Sequence, residues 1–437
     1  MSVLTFRGGI HPEENKELSK SYAITRLEPA GEVVIPMGQH IGTPENACVS
    51  VGDYVCVNQK IGEASGYISA NIHSSVSGTV KAVEPRMMAN GQKSVSVIIE
   101  NDNQYKTIAI GDDVIDTANR EHMLNLIKEA GIVGMGGAGF PTNVKLSPKN
   151  PDSIEFVIVN GAECEPYLTS DYRRMIESPK EVVEGLNIIL SLFKNAKGII
   201  AVEDNKMDAI FKLRSVVKDY ERISVKTVFT KYPQGGERSL IKALTDREIN
   251  SKMLPADVGC VVNNIDTVCA VYNAIKNRQA LTRRIVTVSG DAINNPGNFD
   301  VAIGTGINEL IEAAGGFKTE PEKIISGGPM MGTAIYDINT PITKGTSAIL
   351  CMSKDEVAAN EPSNCINCGR CVNACPAHVL PARLAVMAEH GDTEAFIKMN
   401  GMECCECGCC SYICPAKRNL TQAIKTMRKN ILASGKK

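Results

Sequence analysis

The chain has 437 residues, a formal net charge of -2, 43% hydrophobic and 22% charged residues; at roughly 150 residues per domain that length predicts about three domains. The composition is that of a folded globular protein, and the charge provides no basic field for the phosphates of nucleic acid. No apolar run approaches the roughly 18 residues that span a bilayer, and the opening MSVLTFRGG lacks the parts of a signal peptide, so a cytosolic chain is expected.

Between residues 31 and 101, the segments VVIP, ACVSV, YVCV, GTVKAV and SVSVIIE are separated by Gly, Asn, Pro and Asp. They predict the short strands of a small β sandwich or barrel. The stretch SGYISANIHSSVSG is similar to the hairpin of biotinyl- and lipoyl-type domains but holds no lysine, so a docking or scaffold role is expected in place of a swinging arm. Asn119 to Ala130 has helical apolar spacing (Met123, Leu124, Ile127) and stops at Gly131, as a helix C-terminus does. FVIVN, GIIAVE and VKTVF then alternate with the helical stretches Lys180–Phe193 and Met207–Lys218, which predicts an α/β domain with a parallel core. From Arg283, the run IVTVSGDAINNPGNFDVAIGTGINELIEAAGG reads as a strand, a turn, a strand and one helix, a small α+β insert. Asn360 to Ser363 links it to a cysteine-rich module. The expected limits are 1–110, 111–282, 283–345 and 360–437.

The last of these units is set apart by cysteine. Ten of the 16 fall between Cys365 and Cys414, a density that in a reducing compartment points to metal. Cys365-x2-Cys368-x2-Cys371-x3-Cys375-Pro376 recurs 39 residues on as Cys404-x2-Cys407-x2-Cys410-x3-Cys414-Pro415. This is the bacterial ferredoxin spacing for two [4Fe–4S] clusters, in which the fourth cysteine of each run serves the other cluster. Three thiolates on one tight loop reach three corners of a cube, and Cys375, expected to start a helix, would reach across. One cluster is assigned Cys365, Cys368, Cys371 and Cys414, the other Cys404, Cys407, Cys410 and Cys375. Zinc held by Cys-x2-Cys pairs is the competing chemistry; two full copies, each followed by proline, favour iron–sulfur. Cys405 and Cys409 lie out of register and are expected to be bystanders. Beyond Pro415 come seven basic residues (Lys417, Arg418, Lys425, Arg428, Lys429, Lys436, Lys437) and no acidic one. Leu420, Ile424, Met427 and Ile431 share one helical face there. This predicts an end helix packed on the cluster module, with contact to anionic lipid or an acidic partner as the alternative.

Gly134-Met135-Gly136-Gly137-Ala138-Gly139 satisfies G-x-G-x-x-G, but a helix precedes it where a dinucleotide fold needs a strand. Such a loop still lets the backbone approach a planar or phosphorylated ligand. GMGGAGFPTNVK, NGAECEP, YPQGGE and NNIDT come in order along the chain. Together they resemble the flavin- and NADH-binding subunit of respiratory complex I over residues 120–345, the insert resembling its soluble-ligand-binding β-grasp (SLBB) domain. That resemblance places Gly134, Gly136 and Lys145 at the FMN phosphate side, within the loop that includes Gly137 and Gly139. It places Asn160, Glu163, Gly235, Asn263, Asn264 and Thr267 around the rest of the flavin. Phe140 would stack on the nicotinamide nucleotide, with Glu165 and Glu237 near its polar groups. The chain departs from the family at Ala162, where the family carries aspartate, and at Gly236, where it carries an acidic residue.

The multidomain α/β architecture so expected has a barrel-sandwich-like N-terminus, a complex I-type flavin domain, a β-grasp insert and a helical two-cluster ferredoxin-like module. With the opening Phe6-Arg7-Gly8-Gly9-Ile10-His11-Pro12 and ECCECGCCSYICPA, it resembles, over nearly the whole chain, the peripheral C subunit of the Rnf electron-transport complex. The resemblance implies NAD(H) as substrate, and integral membrane and ferredoxin-type subunits as partners. It further implies FMN as the group that exchanges a hydride for single electrons, coupling of ferredoxin:NAD exchange to Na+ or H+ transport, and a seat on the cytoplasmic face of the membrane. No acid–base catalytic residue is required. The rival readings are a cobalamin reductase of bacterial microcompartments and a non-catalytic iron–sulfur scaffold.

Overall fold

The computed structural model describes residues 4–111 and 115–435; Lys436 and Lys437 of the basic tail lie outside them. Residues 32–101 form the small barrel. A four-stranded antiparallel sheet (Glu32–Pro36, Lys93–Asn101, Gly78–Met87, Tyr54–Val55) faces a three-stranded one (Asn46–Ala47, Lys60–Glu63, Ile72–His73). Alternate apolar residues such as Val33, Ile35, Val97 and Ile99 point into a shared core, as a half-buried strand requires. The hairpin that would carry a prosthetic lysine is buried from Ser69 to Gly78. Its Asn71 carbonyl accepts from Lys344 Nζ at 2.7 Å, and the same ammonium donates to Gly131 O at 2.7 Å. Burial pushes the Lys344 ammonium down to about 8.

The central domain is a parallel sheet of β1 (Phe156–Gly161), β2 (Lys197–Glu203), β3 (Ile223–Val228) and β4 (Cys260–Asn264), in the order β3-β2-β1-β4. Both faces are covered, which is why these strands read as unbroken apolar runs. Val157, Val159, Ile200 and Val261 face α2 (Pro179–Ser191), α3 (Met207–Val216) and α5 (Ile265–Asn277), while Ile158, Ile199 and Val262 face α4 (Glu237–Thr245). A shorter helix, α1 (Ser170–Glu177), comes after β1.

The insert is wider than expected. Its sheet has six strands, in the order Ile24–Leu27, Gly297–Ala302, Arg283–Ser289, Ala348–Met352, Lys323–Ser326, Thr333–Ile335. Two of these lie outside the expected limits of 283–345. One is recruited from the N-terminus and pairs in parallel with 297–302; the other comes after residue 345 and sits in the middle of the sheet. In the cysteine-rich module, the helix expected to start at Cys375 instead ends there, spanning Arg370–Ala374. Pro376 is next in the chain, and the residue before a proline is driven out of the helical region. The end helix spans Leu420–Ala433 and buries Leu420, Ile424, Met427 and Ile431 against the module, as its apolar face predicts.

Gly131 has φ +65°, and a Cβ there would lie 2.1 Å from Asn71 O. Gly131→Ala therefore adds left-handed strain of about 1–3 kcal/mol to a carbonyl clash and is expected to lower the thermal midpoint by several degrees in calorimetry. Gly345→Ala, whose Cβ meets nothing within 4 Å, is expected to leave it in place.

Candidate flavin and iron–sulfur sites

Strands β2 and β3 lie to one side of β1 and β4 to the other, so the crevice outside the carboxyl ends of β1 and β4 is the topological switch point, where open α/β sheets bind ligands. Asn160 at the end of β1 is in register with Asn264 at the end of β4. Asn160 Nδ2 donates to Gly235 O at 2.8 Å and its Oδ1 accepts from Ala162 N at 3.2 Å, fixing the loop 232–237 beside the crevice. Asn264 caps α5 by accepting from Asp266 N at 2.8 Å, and its amide donates to Asp171 Oδ2 at 2.7 Å. Asp171 is pushed up to about 8 by burial first, and then by Glu163 and Asp266.

The glycine loop lies over this crevice. Gly134 N donates to Phe140 O at 2.9 Å, doubling the loop back, and Met135 N donates to Thr267 Oγ1 at 3.0 Å. Arg284 of the insert, ion-paired with Asp266, donates to Met135 O at 2.7 Å. Gly136 to Ala138 are exposed, and a Cβ on Gly136 would stand 2.9 Å from the Asn264 side chain. Gly139, at φ +70°, passes within 3.2 Å of His40 Cα of the barrel, measured from the same kind of added Cβ. Lys145 donates to Val262 O at 2.9 Å and stands 3.9 Å from Glu237 at the start of α4; burial lowers its pKa.

Asn263 is 2% exposed, and its Nδ2 has no partner among the described residues. A buried amide left unbonded costs about 1–3 kcal/mol, and a flavin ring edge, with its carbonyl and ring-nitrogen acceptors, is the kind of group that would take it. With an open glycine backbone and one lysine charge beside it, the crevice fits FMN.

Two of the sequence-predicted residues have their side chains committed elsewhere. Glu163, 9% exposed, accepts from Asp171 N at 2.7 Å and Tyr172 N at 3.3 Å, so its carboxylate holds the first turn of α1. Glu165 accepts from Met330 N and Met331 N, both at 3.0 Å, tying the flavin domain to a turn of the insert. Burial pushes its carboxyl up to about 7. Gly134, Gly136, Gly137, Gly139, Phe140, Lys145, Asn160, Gly235, Glu237, Asn263, Asn264 and Thr267 lie on the segments around the crevice. Sequence reasoning missed Lys16, whose ammonium donates to the carbonyls of Glu163 (2.9 Å), Glu165 (3.0 Å) and Leu168 (2.5 Å). It also missed Lys206, which donates to Ala162 O at 2.8 Å, and Arg284. Each reaches the loop from a segment distant in sequence, and no local pattern marks it.

The ten clustered cysteines divide between two hollows. Cys365, Cys368, Cys371 and Cys414 line an open one of about 720 Å³. Cys375, Cys404, Cys407 and Cys410 line a smaller one, and Cys405 and Cys409, expected to be bystanders, line it as well. Each set thus draws its fourth member from the other run. Among the described residues no three Cys, His, Asp or Glu side chains converge as ligands of a single ion; a ring of thiols around a hollow suits a cage that has volume of its own, as a cubane cluster does. The smaller hollow is joined to the crevice wall. Tyr232, 1% exposed, packs with Ile10, Ala374, Cys407 and Cys409, and with Cys164 and Met330 at the edge. Cys409 Sγ approaches Tyr232 O at 3.8 Å, and Cys164 Sγ accepts from Gly235 N at 3.2 Å. The opening FRGG segment straps this joint: Gly9 N donates to Ala374 O at 2.9 Å, and Ile10 pairs with Tyr232.

Known proteins match in the same arrangement. Residues 4–104 match the RnfC barrel sandwich hybrid domain, 127–273 the Nuo51 FMN-binding domain, 285–334 the SLBB domain and 357–380 a 4Fe-4S binding domain. The C subunit of the Na(+)-translocating ferredoxin:NAD(+) oxidoreductase complex of Acetobacterium woodii is 42% identical, over 99% of this chain and 98% of its own length. The C subunit of the proton-translocating ferredoxin:NAD(+) oxidoreductase complex of Clostridium ljungdahlii is 41% identical, over 99% and 95%. The C subunit of the ion-translocating oxidoreductase complex of Cronobacter sakazakii is 37% identical over 87% of this chain and 50% of its own length. Among solved structures, a chain of an air-oxidized NAD+-reducing [NiFe]-hydrogenase shares the fold, with TM-score 0.52 and 20% identity over 65% of this chain and 55% of that one.

Asn263→Leu keeps the shape and removes the unbonded amide. About 1–3 kcal/mol of lost interaction corresponds to FMN binding weaker by roughly 5-fold to 150-fold, read by fluorescence titration of the flavin-free chain. Iron content is expected to stay unchanged.

Proposed function

Because the chain belongs to the family of C subunits of ion-translocating ferredoxin:NAD(+) oxidoreductase complexes, we propose that it is the NAD(H)-handling subunit of such a complex. We further propose that it exchanges electrons between the nicotinamide and the membrane-embedded subunits. The chain carries an FMN-binding domain and an iron–sulfur module. Bound there, FMN exchanges a hydride for single electrons, and the clusters carry those one at a time.

The chain's own residues have positioning tasks. Asn263 offers its free amide to the flavin edge, and the bare backbone of Gly136 to Ala138 admits the ring and phosphate. Lys145, held against Val262 O, supplies a point charge to the phosphate. Thr267 and Arg284 hold the loop by its Met135 amide and carbonyl, so the loop is set before ligand arrives, which lowers the ordering cost of binding. Phe140, half-buried at the loop's return, is the stacking surface for the nucleotide, and Glu237, 3.9 Å from Lys145 at the rim, meets its hydroxyls. Glu163 and Glu165 shape the site through α1 and the insert turn without touching ligand. No side chain need donate or accept a proton for hydride exchange.

The observation that carries this reading is the packed layer of buried Tyr232 and Ile10, with half-buried Cys164 and Met330 at its edge, between the crevice and the inner cage of Cys375, Cys404, Cys407 and Cys410. It excludes water between the two sites and orders them as crevice, inner cage, outer cage, surface. Among the described residues no helix is long and apolar enough to cross a membrane; the seat we propose is peripheral, on the cytoplasmic face, beside membrane-spanning partners.

The test is anaerobic: the full chain is reconstituted with FMN, iron and sulfide, mixed with NADH, and followed by flavin bleaching and cluster spectroscopy. Prompt bleaching and cluster reduction are expected; a fully loaded protein inert to NADH overturns the proposal. Cys375→Ala is expected to remove about half of the iron and to leave the remaining cluster unreduced by NADH while the flavin still bleaches. Cys365→Ala is expected to leave the inner cluster reducible.

A further inference from the structure

The inner and outer cysteine sets differ in what covers them. The inner set is roofed by Tyr232, Met330 and Ile10. In the outer set Cys365 and Cys368 are exposed, Ile366 between them is 67% exposed, and Leu380 across the hollow is 37% exposed. Single-electron transfer falls off steeply with distance, so a protein that exchanges electrons with this chain must approach that face.

The charge around it is one-sided. Arg383 and Arg418 line the hollow, and among the described residues lining it there is no carboxylate. Arg370 and Lys417 are exposed on the segments that carry its cysteines. Arg418 is neutralised by a bidentate pair with Glu389, at 2.8 Å to each oxygen, which leaves Arg370, Arg383 and Lys417 uncompensated by any ion pair among the described residues. The chain as a whole carries -2, so this cationic ring is local and opposite in sign to the average. A small apolar centre ringed by like charges is the make-up of a transient electron-transfer interface, where charge steers encounter more than it holds the complex.

We propose that this face docks an acidic electron-carrier domain of the assembly. The proposal rests on the reading of the chain as an electron-transferring subunit. In each encounter one electron leaves the reduced outer cage and enters the oxidised carrier, with no bond made and no proton moved. A lipid surface would also meet the cations, but it takes up no electron, and the end helix buries its apolar face and exposes a single large apolar residue, Leu432.

The test uses the fully reconstituted chain, reduced with dithionite and freed of it, so that the outcome does not depend on the NADH reaction. Two acceptors are compared at low and high salt, an acidic rubredoxin and a basic cytochrome c. Rubredoxin is expected to be reduced at least tenfold faster at low salt than at high salt. The triple variant Arg370→Glu, Arg383→Glu, Lys417→Glu is expected to slow rubredoxin at least tenfold and to speed cytochrome c, with both cluster spectra unchanged. Salt-independent transfer to rubredoxin, or a triple variant with wild-type rates, overturns the proposal. So does a variant that loses binding to anionic phospholipid vesicles while transferring electrons normally, which would assign the cations to the membrane.

Discussion

Buried lysines that gather main-chain carbonyls are what the arrangement depends on. Lys16 takes three from the loop after β1, Lys206 takes Ala162 O, Lys231 takes Phe6 O and Gly8 O, and Lys344 takes Asn71 O and Gly131 O. Removing an ammonium from water costs several kcal/mol, and hydrogen bonds to a charged group return about 1.5–3 kcal/mol each. The balance is favourable only when two or three oxygens converge (for Lys206, Ala162 O with the Glu203 and Asn205 side chains), so each lysine tolerates little displacement of the segments it joins. The barrel, the helix end at Gly131, the opening strap and the flavin-side loop are all fixed in this way, by long side chains that reach across domain borders.

That rigidity explains how a crevice and two cages can be set in series within one chain. The β1–β4 switch point places the asparagine pair where backbone and side chain face the ligand, and the insert turn held by Glu165 brings Met330 over Gly408. The SLBB-type insert thus packs on both flavin and cluster domains. Its recruited strand Ile24–Leu27 ties it to the N-terminus as well, so the insert acts as a keystone among the other units.

What the sequence disclosed was what is local. The crossed cysteine sets are set by loop length, and the strands of the central sheet by apolar runs buried on both faces. The end of the helix Arg120–Glu129 is marked by Gly131. The break at Cys375 was also readable, since Pro376 is adjacent. The tasks of Glu163 and Glu165 were not: the spacing of a motif says where a carboxylate sits along the chain, while its partners, the amides of Asp171 and of Met330, are set by packing. Lys16 was beyond reach for the same reason, as its acceptors lie 147 to 152 residues away. The extra strands of the insert are non-local pairings with no signal of their own.

The strap at the start of the chain carries a consequence for biosynthesis. Gly8 and Gly9 touch Cys375 and Ala374, so this strap finds its seat only after a partner far down the polypeptide has been made. Until then the strap has no seat, and its closure is a late event at the wall of the inner cage. The order of manufacture thus makes the seating of the strap a mark of a matured subunit.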